Sequence, residues 1–281
     1  MIRVFSENNI PKASVIELWQ ECFGDTKEYV EFFLNNCPQY TCITYYADSD
    51  KPVAMLFLLD GFLNNRKCKY LYAACTSVNY RRQGIMERLI EYSKKYAFDD
   101  GAAGIFLVPA NENLYSYYSK FGFIPSFKKK ETLVSVETES NYFTCELSLN
   151  EIIDLRRELC SKIDSFIFED KIIEYSIKEH LFNGGFVIGD KLTNTILFCY
   201  EDQDKIVIKE YLSESFSIDD LINNRFINNK GKNIYISSPI VYNSTDKVEN
   251  YTKCGMCFPL DNEMKTFLEC NKEIYAGMYL D

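Results

Sequence analysis

The sequence predicts an α/β (α+β) fold in two domains, at residues 1–140 and 147–281. Three observations carry this reading. Short apolar strands alternate with amphipathic helices through the first half, a similar order of elements follows in the second half, and a six-residue pattern recurs 133 residues on. With 281 residues, 47% of them hydrophobic and including 21 Tyr and 21 Phe, the chain has material for sizeable cores.

In chain order, Ile2–Phe5 reads as a strand. Ser14–Phe23 reads as a helix with Val15, Leu18, Trp19 and Cys22 on one face, and Lys27–Asn35 as a second helix. Tyr40–Tyr46, Val53–Leu59 and Lys67–Val78 read as strands, the last two joined by a turn-rich stretch, Asp60–Asn65. Glu87–Ala97 is a helix, Gly104–Val108 a strand, Asn113–Lys120 a helix and Lys130–Val136 a strand. A polar link at Thr138–Glu146 separates the halves. Beyond it, Leu149–Cys160 and Asp170–Leu181 are paired helices, followed by strands Gly185–Ile188, Thr195–Tyr200 and Lys205–Leu212. A short helix near Ile218–Asn223, strand Asn233–Ser237 and a terminal strand Ile274–Leu280 complete the second half. The repeated pattern pairs Tyr118–Phe123 with Tyr251–Met256, and this suggests a duplication.

Chemistry concentrates in the first half. The apolar strand Tyr70–Val78 runs through Asn79-Tyr80-Arg81-Arg82-Gln83-Gly84-Ile85-Met86 into a helix. A strand that passes through a basic, Gly-bearing turn into a helix builds an anion site. The first helical N–H groups lack intrahelical partners, and the helix dipole favours negative charge there. Gly84 lets the backbone approach a phosphate, and Arg81 and Arg82 add charge and fork-shaped donors. About thirty residues on, the buried strand Ile105–Val108 leads through Asn111 into Tyr118-Ser119-Lys120-Phe121-Gly122-Phe123. Together the two blocks resemble the GNAT family of acyl-CoA-dependent N-acetyltransferases. The first is similar to that family's Arg/Gln-x-x-Gly-x-Gly/Ala pyrophosphate loop, except that Met86 replaces the usual small residue. The second is similar to its Tyr-x-Lys-x-Gly-Phe signature, and Asn111 stands where the family often has an asparagine.

The resemblance covers about residues 1–140 and implies a mixed, mostly antiparallel twisted sheet flanked by helices. It implies acetyl-CoA as acyl donor, with Thr76, Val78, Arg81, Arg82, Gln83, Gly84, Ile85, Met86 and Asn111 binding the cofactor. Pantetheine amides would meet splayed strands at Thr76 and Val78. Tyr118 is implied as the acid that protonates the leaving thiolate, since a phenol near pKa 10 carries its proton at rest. Tyr115 and Tyr117 are read as packing residues. The base that takes the amine proton stays open among Glu21, Glu28, Asp60, the C-terminal Asp281 and water, because strand Tyr70–Val78 holds no carboxylate. Cys75 is read as a buried thiol rather than an acyl acceptor. The second half resembles a degenerate GNAT-like domain of the tandem-GNAT kind, because Ser213–Ser217 has no Gly or Arg and one carboxylate. Two alternatives stay open: an acyl-CoA-binding protein without turnover, and an aminoacyl transferase of the tandem-GNAT kind.

Charge and cysteine usage narrow the partners. Net charge is −1 over residues 1–140 and −9 over 141–281, which argues against nucleic acid and suits a cationic amine, whether small molecule or peptide. No run is long and apolar enough for a membrane helix, and there is no export signal. Eleven scattered cysteines and no export signal point to a reducing cytoplasm. Cys254-Gly-Met-Cys257 is a single C-x-x-C, and His180 is the one histidine, so no metal is expected. The sequence leaves the oligomeric state open.

Overall fold

A computed structural model describes residues 1–47, 50–135, 147–215, 217, 232–243, 248–271, 273–277 and 280. The chain packs as two units that are not contiguous in sequence. Unit 1 holds Met1–Pro125, Phe168–Tyr175 and Gly255–Cys270; unit 2 holds Ser126–Ile167, Ser176–Cys254 and Asn271–Asp281. The expected contiguous division at 1–140 and 147–281 therefore differs from the packing, since two later segments complete unit 1. The expected link at 138–146 and helix near 218–223 lie outside the described residues.

In unit 1 the elements run β1 (Ile2–Ser6), α1 (Lys12–Phe23), α2 (Lys27–Asn36), β2 (Thr41–Tyr46), β3 (Pro52–Leu63), β4 (Arg66–Thr76), α3 (Ile85–Asp99), β5 (Gly104–Leu107) and α4 (Glu112–Ser119). β1 to β4 are successive antiparallel neighbours, and β5 lies parallel to β4. The run Val53–Leu59 is continuously apolar because both sheet faces are covered. Phe57 meets Trp19 and Phe33 of α1 and α2 at 5.5 and 5.1 Å. Leu56 and Leu58 join Ile85, Leu89 and Ile90 of α3 in a second core. β3 extends through Asp60–Leu63, which the sequence reading placed in a turn. Asp60 and Gly61 pair across with Lys69 and Cys68, and the reversal is confined to Asn64 and Asn65, both left-handed (φ 50° and 57°). Here a two-residue Asn-Asn hairpin suffices, so the preceding Gly is ordinary strand.

Unit 2 repeats this pairing. The elements here are β6 (Ile124–Ser135), α5 (Leu149–Ser161), β7 (Phe166–Phe168), α6 (Asp170–Phe182), β8 (Phe186–Asp190), β9 (Thr195–Glu201), β10 (Lys205–Ser213) and β11 (Asn233–Ser238), of which Ile124, Pro125 and Phe168–Tyr175 count with unit 1. β8, β9 and β10 form an antiparallel meander, and β11 lies parallel to β10 and antiparallel to β6. Ile188, Leu197, Ile206, Ile208 and Ile236 form its core. α5 starts in a reciprocal capping box of Ser148 and Glu151, and its buried Arg156 pairs with Glu210 at 2.7 Å.

Three elements lie beyond the sequence reading: β7, β12 (Val248–Pro259) and α7 (Asn262–Cys270). The last two follow β11, and residues 256–259 run antiparallel to β5 within unit 1. Tyr251–Met256 therefore sits inside a strand, whereas Tyr118–Phe123 spans a helix end and turn. The six-residue echo is not a structural repeat; the repeat lies in strand pairing instead. Cys254 and Cys257 are buried free thiols on β12. Of the expected terminal strand at 274–280, the described residues show isolated bridges at Ile274 and Tyr275.

Candidate active site

The site grows out of the end of β4. The β4–β5 ladder covers Cys68–Tyr70 against Gly104–Phe106, and β4 continues beyond it to Thr76. Its register against β3 slips between Met55 and Phe57, where Ala73 takes a left-handed φ of 47°. This bulge re-aims the strand as it leaves its parallel neighbour. After Thr76 a single 3-10 turn, Val78–Tyr80, leads into Arg81 and Arg82. Arg81 Nε donates to the Thr76 carbonyl at 3.0 Å, and Gln83 Nε2 donates to the Asn79 carbonyl at 3.2 Å. Gly84 is the N-cap of α3 with φ 71°, a left-handed conformation natural to glycine, and no side chain caps the helix. The first N–H groups of α3 thus emerge beside two exposed arginines, which is an anion-binding arrangement.

Tyr118 arrives from the other direction on α4. Asn111 caps that helix, its Oδ1 accepting from the N–H groups of Asn113 and Leu114 at 3.1 and 3.3 Å. Tyr115 and Tyr118 face the core of unit 1. Gly122 turns the chain after α4 at φ 82°, and a Cβ there would meet the Phe258 ring at 3.1 Å. Phe123 then packs on both Tyr118 and Phe258, with ring centroids 5.7 and 5.6 Å apart. Burial, with a smaller push from Tyr117, holds the Tyr118 phenol well above the ordinary tyrosine value.

Loop and tyrosine meet in one cleft of about 530 Å³. It brings together Thr76, Arg81, Arg82, Gly84, Ile85, Met86 and Tyr118, all singled out in the sequence. Val78, Gln83 and Asn111 do not line it, and Tyr117, read as packing, does. Cys22, Phe23, Glu87 and Phe121 also line the cleft. Cys22 and Phe23 come from the end of α1, and no local motif marks them. Glu87 could have been found as the acid in the first turn behind the loop.

The expected bases separate clearly. The Asp60 carboxylate accepts from Lys69 and is absent from the cleft. Glu28 lies in the first turn of α2 and is also absent from the cleft. Glu21 accepts from the Val78 N–H at 2.9 Å, next to the cleft-lining Cys22. Asp281 lies outside the described residues. Among the described residues no cluster of three His, Cys, Asp or Glu side chains could hold a metal, and no helix is long and apolar enough to cross a membrane.

Comparison with known proteins bears on the fold that carries this cleft. Residues 12–123 match the model of the acetyltransferase (GNAT) family. No curated protein sequence matches the chain. Among solved structures, a probable N-acyltransferase of unknown function from Enterococcus faecalis V583 superposes with TM-score 0.69 at 10% identity, covering 96% of this chain and 74% of that one. A GCN5-related N-acetyltransferase from Anabaena variabilis ATCC 29413 gives 0.67 at 15% identity, with 93% and 73% covered. One from Kribbella flavida gives 0.66 at 12%, with 93% and 72% covered. At such identities the likeness is one of fold. The family match covers residues 12–123, the segment that holds the cleft and its loop.

Proposed function

We propose that the protein transfers an acetyl group from acetyl-CoA to a primary amine. The observation that carries this is the single cleft in which the uncapped start of α3, Arg81, Arg82 and Tyr118 converge. The α3 N–H groups and the two arginines hold the pyrophosphate. The bulged end of β4, past its ladder with β5, offers backbone groups to the pantetheine amides. The amine nitrogen attacks the acyl carbon, the carbon–sulfur bond breaks, and Tyr118 gives its proton to the departing sulfur. Burial favours this role, because it keeps the phenol protonated until a thiolate forms beside it. The amine proton goes to Glu21, to Glu87 or to water.

Unit 2 fits a degenerate second domain of the same kind. Its strands repeat the pairing of unit 1, but the turn after β10 carries Glu214, held by Lys162 at 2.8 Å, where an anion cradle would need donors. Its excess acidity favours a cationic amine. Ten free cysteines among the described residues support a reducing cytoplasm as the compartment. Incubating the protein with radiolabelled acetyl-CoA and a panel of polyamines, aminoglycosides, peptides and amino acids tests the reading. Label on an amine is expected; CoA binding without transfer to any amine would leave a binding protein.

A further inference from the structure

Unit 2 holds a cavity of its own, of about 550 Å³, and every described residue lining it belongs to that unit. Its floor is one face of the sheet. Leu133 pairs with Tyr235, Tyr235 with Val207 and Val207 with Tyr200, so these four side chains form one row across β6, β11, β10 and β9. Their chain neighbours Val134, Ile234, Ile206 and Cys199 turn to the opposite face and join the core of unit 2. We propose that this cavity binds a small amphipathic carboxylate, with its apolar body along the row and its anionic head at Lys209 and Lys129.

The row offers apolar surface where a strand face left to water would be polar. Leu133 and Tyr235 are 41% and 44% exposed although both lie inside paired strands. With neighbouring strands ~4.8 Å apart, the row runs about 14 Å, room for an extended medium-length acyl chain. Tyr200 is pinned within it, its ring meeting the buried His180 ring edge-on at 4.5 Å. A floor fixed before the ligand arrives costs little ordering on binding. The volume is that of a small-molecule site.

Two residues along each strand the lining turns polar, with Glu131, Ser237 and Lys209, and with Lys129 further along β6. Lys209 falls where the β10–β9 register slips between Ile208 and Glu210, a bulge that re-aims a side chain. Lys129 Nζ pairs with one Glu131 oxygen at 2.9 Å and donates to Ser237 at 3.4 Å, while Thr252 donates to the other Glu131 oxygen at 2.9 Å. The carboxylate that a cationic ligand would need is therefore engaged on both oxygens. Among the described lining side chains two are cationic and one is anionic, so the cavity favours an anion. A bare inorganic anion would leave the apolar row in water, and a neutral hydrocarbon would leave the ammonium groups without a counter-charge. A carboxylate with an apolar body answers both. The site stands independently of the acyl transfer proposed above.

The test titrates the full-length protein with octanoate, octylamine and acetate, read by ligand-observed NMR. Octanoate should bind with a dissociation constant below about 1 mM, and the other two at least about tenfold more weakly. Lys209→Gln and Tyr235→Ser should each weaken octanoate about tenfold, and Lys209→Arg should retain it. Arginines also line the unit 1 cleft, so Arg82→Gln is the control and should leave octanoate affinity unchanged. Thermal midpoints check that each variant folds. In the parent protein, octanoate should shift the amide signals of Leu133, Val207 and Tyr235, which locates the site without any variant. Absence of octanoate binding, or amide shifts confined to unit 1, overturns the site. Loss of binding in Arg82→Gln but not in folded Lys209→Gln does the same. Octylamine bound as tightly as octanoate overturns the carboxylate assignment.

Discussion

Tyr118 and Gly84 place the chemistry on single atoms. Tyr118→Phe removes only the phenolic oxygen from a ring packed against Phe123, so fold and CoA affinity should persist. Turnover should drop about 10- to 1000-fold, the range of a general acid; a variant with the parent rate would move that role to water. Because burial raises the Tyr118 pKa above its usual value near 10, the phenol stays protonated up to and beyond that pH. The turnover profile of the parent should therefore show no falling limb from Tyr118 below about pH 10. Gly84→Asp tests the donor site. It forces a branched side chain into φ 71° and puts a carboxylate beside Glu87, whose Oε2 lies 3.8 Å from the position of a Cβ. CoA binding should weaken by at least ~2 kcal/mol, measured by calorimetry with the fold checked by circular dichroism; unchanged affinity would remove the loop from the site. These residues were legible because each belongs to a local motif whose neighbours fix its geometry. Cys22 and Phe23 were not, since the cleft gathers them from a helix end without a motif.

At the scale of elements, α4 shows how one residue can serve structure and ligand at once. Asn111 was expected to bind the cofactor, and its Oδ1 caps α4, the helix that aims Tyr118. Asn111→Ala should cost about 1 kcal/mol of stability, the value of a lost N-cap, read from the shift of the thermal midpoint. Asn111→Asp keeps the cap and should restore it. If CoA affinity drops in the Asp variant while stability holds, Asn111 also contacts the donor; if both recover, its role is the cap. Helices and apolar strands were legible from periodicity, most ends displaced by a residue or two, but β3 runs four residues further than expected and β6 starts six residues earlier. β12 was not. It begins polar, carries Gly255 mid-strand and lies 149 residues in sequence from its partner β5 at the pairing of Met256 with Leu107. Periodicity cannot announce a pairing over such a distance, and the chance likeness of Tyr251–Met256 to Tyr118–Phe123 drew attention to the wrong property of that segment.

For the whole molecule, the decisive fact is that unit 1 is completed late in the chain. Residues 255–259 supply the strand beside β5, and Gly104 packs so closely there that a Cβ would meet Cys257 Sγ at 3.1 Å. Arg66 forks onto Asp261 with contacts of 2.9 and 2.6 Å, and Tyr175 packs on Phe33 at 5.8 Å. A fragment ending at Glu139 keeps every residue of the cleft but lacks these partners. It exposes the β5 edge, leaves Phe106 without the backbone of Gly255 against its ring, and frees Arg66. The fragment should therefore be insoluble or lack a cooperative thermal transition, and should not bind CoA. Adding back residues 255–270 through a flexible linker should recover part of the signal, because the missing strand and α7 belong to the same packing unit. Thermal scans and calorimetry on the two fragments decide the matter. A folded 1–139 fragment that binds CoA as tightly as the full chain would show that the first 139 residues are self-sufficient and that the late segments only cover them.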